Sequence, residues 1–261
     1  MADHFVICLI DFIDFVKSLK EENIANRMQC HLKNLPLYKL LENDIKLAHN
    51  ADKIQNRLAI YFYRPYPVPQ CGPRCGISAI KSALNAFNLS CTMDEITMCA
   101  VKMGFSKQGE LFEADHVVKL LKAHGTKSNL CSWDVFSKRS LIKELQSCKL
   151  CLVPYDCSSN GEPCNLAGSK AHWACVFGYC ENDSYQHHVK DQNNFDNVVL
   201  LVVHGKSNRT RVWYYDQLWS SNQQLFSPSK KLSTNEYMLP KKNLKHTLAS
   251  RFVSCEVKEN N

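Results

Sequence analysis

The stretch "YPVPQCGPRCGISAIKSALNAF", residues 66–87, places two cysteines four positions apart, directly before a pattern typical of a helix. Pro and Gly surround Cys71 and Cys75 and favour a turn at this point of the chain. From Cys75 onward, apolar residues recur at the spacing of one helix face: Ile77, Ile80, Leu84 and Phe87. The segment therefore predicts a loop that delivers Cys75 to the N-terminus of an apolar helix over 75–88.

This position suits a cysteine nucleophile. A thiol attacks as the thiolate, and the unpaired N–H groups and the dipole at a helix N-terminus favour that charge. Gln70 lies in the preceding loop and carries an amide that can donate to a developing oxyanion, with the Cys75 N–H as the second donor. Gly72 and Gly76 allow a substrate backbone to approach closely.

A cysteine nucleophile also needs a base that is distant in sequence and near in space. His172 opens the apolar stretch "HWACVFGY" after a polar loop, so we expect it at the edge of a strand facing a cleft. The next apolar stretch, "NVVLLVVHGKS", is expected to return antiparallel and to bring its end beside His172. Several residues have the chemistry to orient the imidazole, and the sequence does not choose among them: His204, Ser207, Asn208, Asp216 and Asn222.

The fold class follows from the order of the predicted elements. Helices are predicted over 75–88, 90–104, 111–125 and 140–148. The period then becomes typical of strands, which are predicted over 149–156, 172–180, 197–205, 210–222 and 236–240. Helices followed by strands indicate an α+β fold with a mainly antiparallel sheet.

The domain organisation is predicted to consist of one large domain with an extension. Further helices are predicted over 4–20 and 37–60, so residues 1–64 are interpreted as an N-terminal helical extension. No linker rich in Pro and Gly divides the rest of the chain, which gives a domain over 65–255 and a C-terminal tail over 256–261.

Composition and charge bound the class of protein. The chain has 261 residues, of which 45% are hydrophobic, and its net charge of +7 is scattered, so no nucleic-acid partner is expected. No apolar run approaches the length of a membrane span. Asp11 and Asp14 interrupt the first apolar run, and no basic residue precedes it, unlike in a secretion signal. The 14 cysteines are therefore expected to be reduced thiols of a cytoplasmic protein.

The segment "QCGPRCGISAI" resembles the nucleophile segment of the actin maturation proteases, which are cysteine peptidases related in fold to bacteriocin-leader peptidases and papain-like enzymes. Further blocks resemble the family in the same order: "SKQGELF", "LVPYD", "NGEPCN", "AHWA", "HGKSNRTRVW", "DQLWSSNQQL" and "SPSKKL…EYMLP". The resemblance covers about residues 65 to 240.

The resemblance implies a papain-like cysteine peptidase fold and a set of residue roles. Cys75 is implied as the nucleophile, His172 as the general base and acid, and Gln70 as the oxyanion donor, with no metal and no cofactor. The implied activity removes the N-acetylated first residue, Met or Cys, from immature actin and exposes the acidic residue behind it. Actin is then the substrate, and actin-associated proteins are further candidate partners.

Three other interpretations compete with this one. The first is a zinc-binding module built from a cysteine-rich run: Cys148, Cys151, Cys157, Cys164 and His172. Only the first two of these have the spacing of a zinc site. The second is an interaction protein that keeps the fold and binds actin without catalysis, for which an intact Cys75 and His172 are unnecessary. The third is another acyl-transfer enzyme on the same fold, a transglutaminase or a deamidase.

Overall fold

The helix that begins at Cys75 packs against the strand that carries His172, near the middle of an antiparallel sheet. The computed structural model describes residues 57–182, 195 and 198–258. The helix predicted over 4–20 and most of the helix predicted over 37–60 lie outside the described residues.

The described chain contains six helices and eight strands. The helices are α1 Cys75–Ala86, α2 Met93–Lys102, α3 Ala114–Ala123, α4 Ser140–Gln146, α5 Tyr215–Gln223 and α6 Leu244–Thr247. The strands are β1 Arg57–Tyr61, β2 Thr126–Ser132, β3 Leu150–Cys157, β4 Pro163–Cys164, β5 Ala171–Asn182, β6 Val199–His204, β7 Arg211–Tyr214 and β8 Arg251–Val257. Within these residues, no helix combines the length and the apolar character needed to cross a membrane.

The strands form one sheet in the order β2-β8-β3-β5-β6-β7, and every pairing is antiparallel. The short strand β4 is added to β3, and β1 is added to β5. The register places Tyr155 of β3 opposite His172 of β5, and His204 of β6 opposite Ala174. The predicted α+β class is confirmed, with helices mainly in the first half and an antiparallel sheet in the second.

The sheet separates two apolar cores. Alternate side chains of a strand point to opposite faces, so Trp173 and Cys175 join the core under α1, while Ala174 and Val176 join the other. Helix α1 buries Ile77, Ile80 and Leu84 completely, together with much of its backbone. Each such side chain stabilises the fold by about 1.5–3 kcal/mol. This packing fixes the position of α1, and therefore of Cys75, relative to the sheet.

One prediction near the start of the domain is wrong. Residues 57–60 of the helix predicted over 37–60 belong to strand β1, because β5 extends beyond β3 and leaves an edge that β1 fills. Strand β1 thus precedes the domain predicted over 65–255 and pairs with its strand β5. At the other end, β8 continues to Val257, two residues past the predicted boundary.

Other differences concern the second half of the chain. Of the strand predicted over 210–222, only Arg211–Tyr214 is strand, and α5 follows at once because Tyr215 and Leu218 are buried at helical spacing. The strand predicted over 236–240 is absent, and this segment is held instead by side chains of the loop before α3. The strands β2 and β8 were not predicted.

Candidate active site

The first turn of α1 leaves its N–H groups available to the Cys75 sulfur. Arg74 occupies the N-cap position, makes no side-chain capping bond, and is followed by no acidic residue in the first turn. Helices normally satisfy these N–H groups with a capping side chain or an acidic residue. Here the positive end of the helix is therefore free to interact with a charge on Cys75.

Two opposing effects act on the Cys75 thiol. Packing of the surrounding protein displaces water from the sulfur and raises the pKa of Cys75 to about 11. The backbone N–H groups of Trp173 and Gly76 act in the opposite direction, and the ammonium of Lys206 also lowers the pKa. Since desolvation dominates, Cys75 is a neutral thiol at pH 7. A base must remove its proton when it attacks.

The loop before α3 packs against Arg74, the residue that precedes Cys75. A Cβ atom on Gly109 would lie 2.5 Å from Cγ of Arg74, so only glycine permits this approach. The buried Glu110 carboxylate accepts hydrogen bonds from the Ser106 hydroxyl and from the N–H groups of Lys107, Gln108 and Met238. Burial alone raises the pKa of Glu110, but these backbone N–H groups outweigh it and hold the pKa below its usual value.

His172 is the second residue of β5, as its position before an apolar strand predicts. The loop that enters β5 is held by the buried carboxylate of Asp156, which accepts hydrogen bonds from the N–H groups of Leu166, Gly168 and Lys170. Hydrogen bonds to a charged group are strong, so the three bonds to Asp156 hold this loop in a fixed position. The position of the imidazole is therefore set by β5 and by the loop before it.

The His172 ring is buried among aromatic groups and beside a cation. Its ring centroid lies 5.5 Å from that of Tyr155 and 6.0 Å from that of His204, both in edge-on geometry. Burial holds the pKa of His172 well below its usual value of 6.5, and the charge of Lys206 adds to this. The imidazole is therefore neutral at pH 7 and able to accept a proton. Nε2 of His172 is buried without a hydrogen-bond partner.

The five residues predicted to orient His172 lie in different places, and among them the Ser207 hydroxyl donates to the Arg209 carbonyl. His204 stands beside His172 on the neighbouring strand, with its own Nε2 buried and unpartnered. Asn208 lines an open cleft beyond His204. Asp216 forms a salt bridge with Lys138, 2.5 Å away, and Asn222 donates to the carbonyls of Pro154 and Arg251.

Gln70 is anchored to the loop that follows β6. Its backbone N–H donates to the Gly205 carbonyl at 2.9 Å, and its Nε2 donates to the Gly72 carbonyl at 2.8 Å. A Cβ atom on Gly205 would lie 2.7 Å from Gln70 Oε1 and 2.8 Å from Ser78 Oγ, so glycine at 205 allows this close approach. The loop that carries Gln70 is thus fixed to helix α1 and to the sheet at the same time.

The structure brings the Cys75, His172 and Gln70 regions to one end of the sheet. The N–H of Trp173, next to His172 in the chain, stabilises a charge on Cys75. The N–H of Gln70 donates to the carbonyl of Gly205, which directly follows His204. Within the described chain, no hydrogen bond joins the Cys75 sulfur to the His172 ring. Catalytic hydrogen bonds often tighten only when substrate is bound. A thiol, a neutral imidazole and an amide near one another can support acyl transfer.

Sequence reasoning missed three contributors to this site. Asp156, Trp173 and Lys206 were given no role, although the segments that contain them were recognised as similar to the family. Lys206 lies two residues after His204, the last residue of β6. The sequence therefore already placed a cation close to the strand end expected beside His172. Asp156 gives no such signal, because its partners are backbone groups ten to fourteen residues away.

The cysteine-rich run does not form a metal site. Among the described residues, which include all five members of the run, no three His, Cys, Asp or Glu side chains are placed to hold a metal ion. Cys151 is fully buried in β3, and the Cys157 sulfur accepts instead from Tyr155 and Lys206. The zinc-binding interpretation is therefore not supported.

Comparison with known proteins assigns the family. Residues 66–180 match the family model described as "Actin maturation protease-like, C-terminal domain". A protein of Xenopus tropicalis named "Actin maturation protease" is 30% identical over 241 residues, which cover 82% of this chain and 79% of that protein. The chain belongs to the actin maturation protease family.

Other members of the actin maturation protease family are similarly distant. The Drosophila melanogaster protein of this name is 33% identical over 183 residues, covering 69% of this chain and 63% of its own length. The Homo sapiens protein is 28% identical over 203 residues, covering 66% of this chain and 58% of its own. Among solved structures, a C39-like peptidase from Bacillus anthracis matches 78% of this chain and all of its own, with 8% identity and a TM-score of 0.42.

Proposed function

We propose that this protein is a cysteine peptidase that removes the N-acetylated first residue, Met or Cys, from immature actin and exposes the acidic residue behind it. The observation that carries the proposal is the placement of Cys75 at the uncapped start of α1, against the strand that presents His172. We infer actin as the substrate from membership of the actin maturation protease family. Cys71 and Cys75 are free thiols, as expected in the cytoplasm, which is the location we further propose.

The proposed reaction begins from two neutral groups. His172 takes the proton of the Cys75 thiol as the sulfur attacks the carbonyl carbon of the first residue. The tetrahedral intermediate then collapses, and His172 returns the proton to the departing amine of the second residue. Water, with His172 as base, hydrolyses the thioester and releases the acetylated amino acid. This sequence needs no metal and no cofactor.

His204 is the residue we propose to orient His172. Among the five predicted candidates it is the one whose side chain stands beside the His172 ring, and both rings have an unpartnered buried Nε2. An unpaired buried polar atom costs about 1–3 kcal/mol, so a hydrogen bond between the rings would relieve both. Gly161 makes room for His204, since a Cβ atom there would lie 2.8 Å from its Cε1.

Gln70 is proposed to stabilise the oxyanion, and its replacement gives a prediction. Its amide would act on charge that exists only in the tetrahedral intermediate, so Gln70→Ala should lower kcat by about 10²–10³-fold with little change in KM. Steady-state kinetics on an acetylated peptide measures this. A raised KM with normal kcat would instead assign Gln70 to substrate binding.

The proposed function is tested on actin itself. Purified protein is incubated with N-acetylated immature actin, and intact-mass analysis follows the actin N-terminus. We expect the mass to fall by one acetylated Met or Cys residue, in a reaction that Cys75→Ala does not perform. The same measurement separates the other acyl-transfer chemistries, because a transglutaminase adds an amine and a deamidase adds about one mass unit.

A general peptidase would behave differently. Casein serves as the control substrate, since it offers many internal peptide bonds and no acetylated actin N-terminus. Cleavage within casein at a rate similar to that on actin would contradict N-terminal trimming and would indicate an endopeptidase.

A further inference from the structure

An open cleft of about 550 Å³ lies beside Gln70. One wall is the segment before the nucleophile, with Pro69, Gln70 and Gly72. The other wall is formed by the loop after β6, including Lys206, and by Arg211 at the start of β7. The hydrogen bond from the Gln70 N–H to the Gly205 carbonyl joins the two walls.

The two cations of this cleft have only neutral partners in the described part of the chain. Nζ of Lys206 lies 3.3 Å from the Cys157 sulfur, and Nε of Arg211 donates to the Ser207 hydroxyl at 3.2 Å. Neither takes part in a salt bridge among residues 57–182, 195 and 198–258. A thiol is a weak acceptor, and a carboxylate makes a much stronger bond with an ammonium or guanidinium group. The cleft therefore offers two positive charges that an anionic ligand can pair.

His172 must reach the departing amine to protonate it, so the residues after the scissile bond are expected to extend past His172. The cleft wall that starts at Gly205 directly follows His204 in the chain, and the His204 ring lies beside that of His172. The cleft is therefore placed to receive those residues. The Lys206 charge acts on both Cys75 and His172, whereas the Arg211 charge acts on His204. Lys206 is thus the cation nearer to the reacting atoms.

We infer that Lys206 and Arg211 form a binding site for acidic side chains that directly follow the scissile bond, an inference that rests on the proposed function. Lys206 pairs with the residue that becomes the new N-terminus, and Arg211 pairs with an acidic residue after it. The cleft thereby recognises the acidic residues that cleavage uncovers. It selects substrates with an acidic run behind the first residue.

The test compares two peptides of equal size. Acetyl-Met-Asp-Asp-Asp and acetyl-Met-Asn-Asn-Asn sequences, each extended by the same neutral tail with a fluorophore, differ only in the charges after the scissile bond. We expect the wild-type protein to favour the Asp peptide in kcat/KM by about tenfold, roughly threefold for each ion pair, because both cations are at least partly open to solvent. In the Lys206→Gln/Arg211→Gln variant, this ratio should fall to near 1.

Arg209 supplies the matched control. It is exposed in the same loop but does not line the cleft, so Arg209→Gln changes the net charge equally without removing a proposed contact. The control should keep the wild-type preference for the Asp peptide. If Arg209→Gln reduces the preference as much as the replacement of Lys206 or Arg211 does, the effect is one of overall charge and the binding site is refuted.

Binding measurements separate this inference from the proposed function. Fluorescence anisotropy of both peptides on a Cys75→Ala background needs no turnover. Tighter binding of the Asp peptide that is lost in the Lys206→Gln/Arg211→Gln variant supports the site even if the wild type cleaves neither peptide, a result that would overturn the proposed function alone. Equal affinity for the two peptides, or an equal loss for both in the variant, overturns the site whether or not the enzyme trims actin.

Discussion

Replacing Cys75 by alanine is expected to abolish turnover of an acetylated actin peptide while leaving the protein folded. The reaction proposed above passes through a thioester on this sulfur, and alanine offers no atom that can form it. The fold should survive, because α1 is held by Ile77, Ile80 and Leu84 rather than by the partly exposed Cys75 side chain. Peptide cleavage followed by mass spectrometry, together with thermal unfolding of the variant, measures both parts of this prediction.

Cys71 is the matched control for this substitution. It is an exposed free thiol four residues before Cys75, within the same Pro- and Gly-rich segment. Cys71→Ala should retain most of the wild-type activity. Substantial turnover by Cys75→Ala, or loss of activity in Cys71→Ala instead, would remove Cys75 from the role of nucleophile.

The second large effect is expected from His172→Ala. General-base assistance is worth about 10²–10⁴-fold in rate, and here the base faces a thiol whose pKa of about 11 leaves little thiolate at neutral pH. We therefore expect kcat/KM to fall by about 10³–10⁴-fold. A rate near that of the wild type would refute the general-base mechanism.

The pH profile distinguishes the loss of a base from a structural defect. His172 accepts a proton only while neutral, and burial lowers its pKa from the usual 6.5, so the wild-type activity should persist below pH 6.5 and fall as pH drops through the lowered pKa. The residual activity of His172→Ala should lack this acidic limb. An unchanged limb in the variant would assign the titration to another group.

The helices around Cys75 were predictable, because residues at or next to the ends of each helix determine where it begins and ends. Thr92 and Glu95 form a reciprocal capping box at the start of α2, and Gly125 has the positive φ of +88° that ends the α3 region. The apolar stripe of α1 and the apolar runs of β3, β5 and β6 were equally clear. The positions of Cys75 and His172 at the starts of α1 and β5 were predicted from the same patterns.

The elements that escaped prediction depend on partners far away in sequence. Strand β2, "TKSNLCS", is largely polar and becomes a strand because every one of its residues pairs with β8. Tyr215 is aromatic and has high strand propensity, but its burial together with Leu218 at helical spacing overrides this preference and places it in α5. The same helix turns the Asn222 amide toward backbone carbonyls of β3 and β8.

Strand β8 also has a consequence for how the protein is made. It is the last described element in the chain, yet it lies between β2 and β3, with a neighbour on each side. Its Val253 and Cys255 belong to the same core that supports α1. A ribosome therefore synthesises Cys75 and His172 long before residues 251–257, and α1 lacks part of its supporting core until β8 has emerged and inserted between β2 and β3.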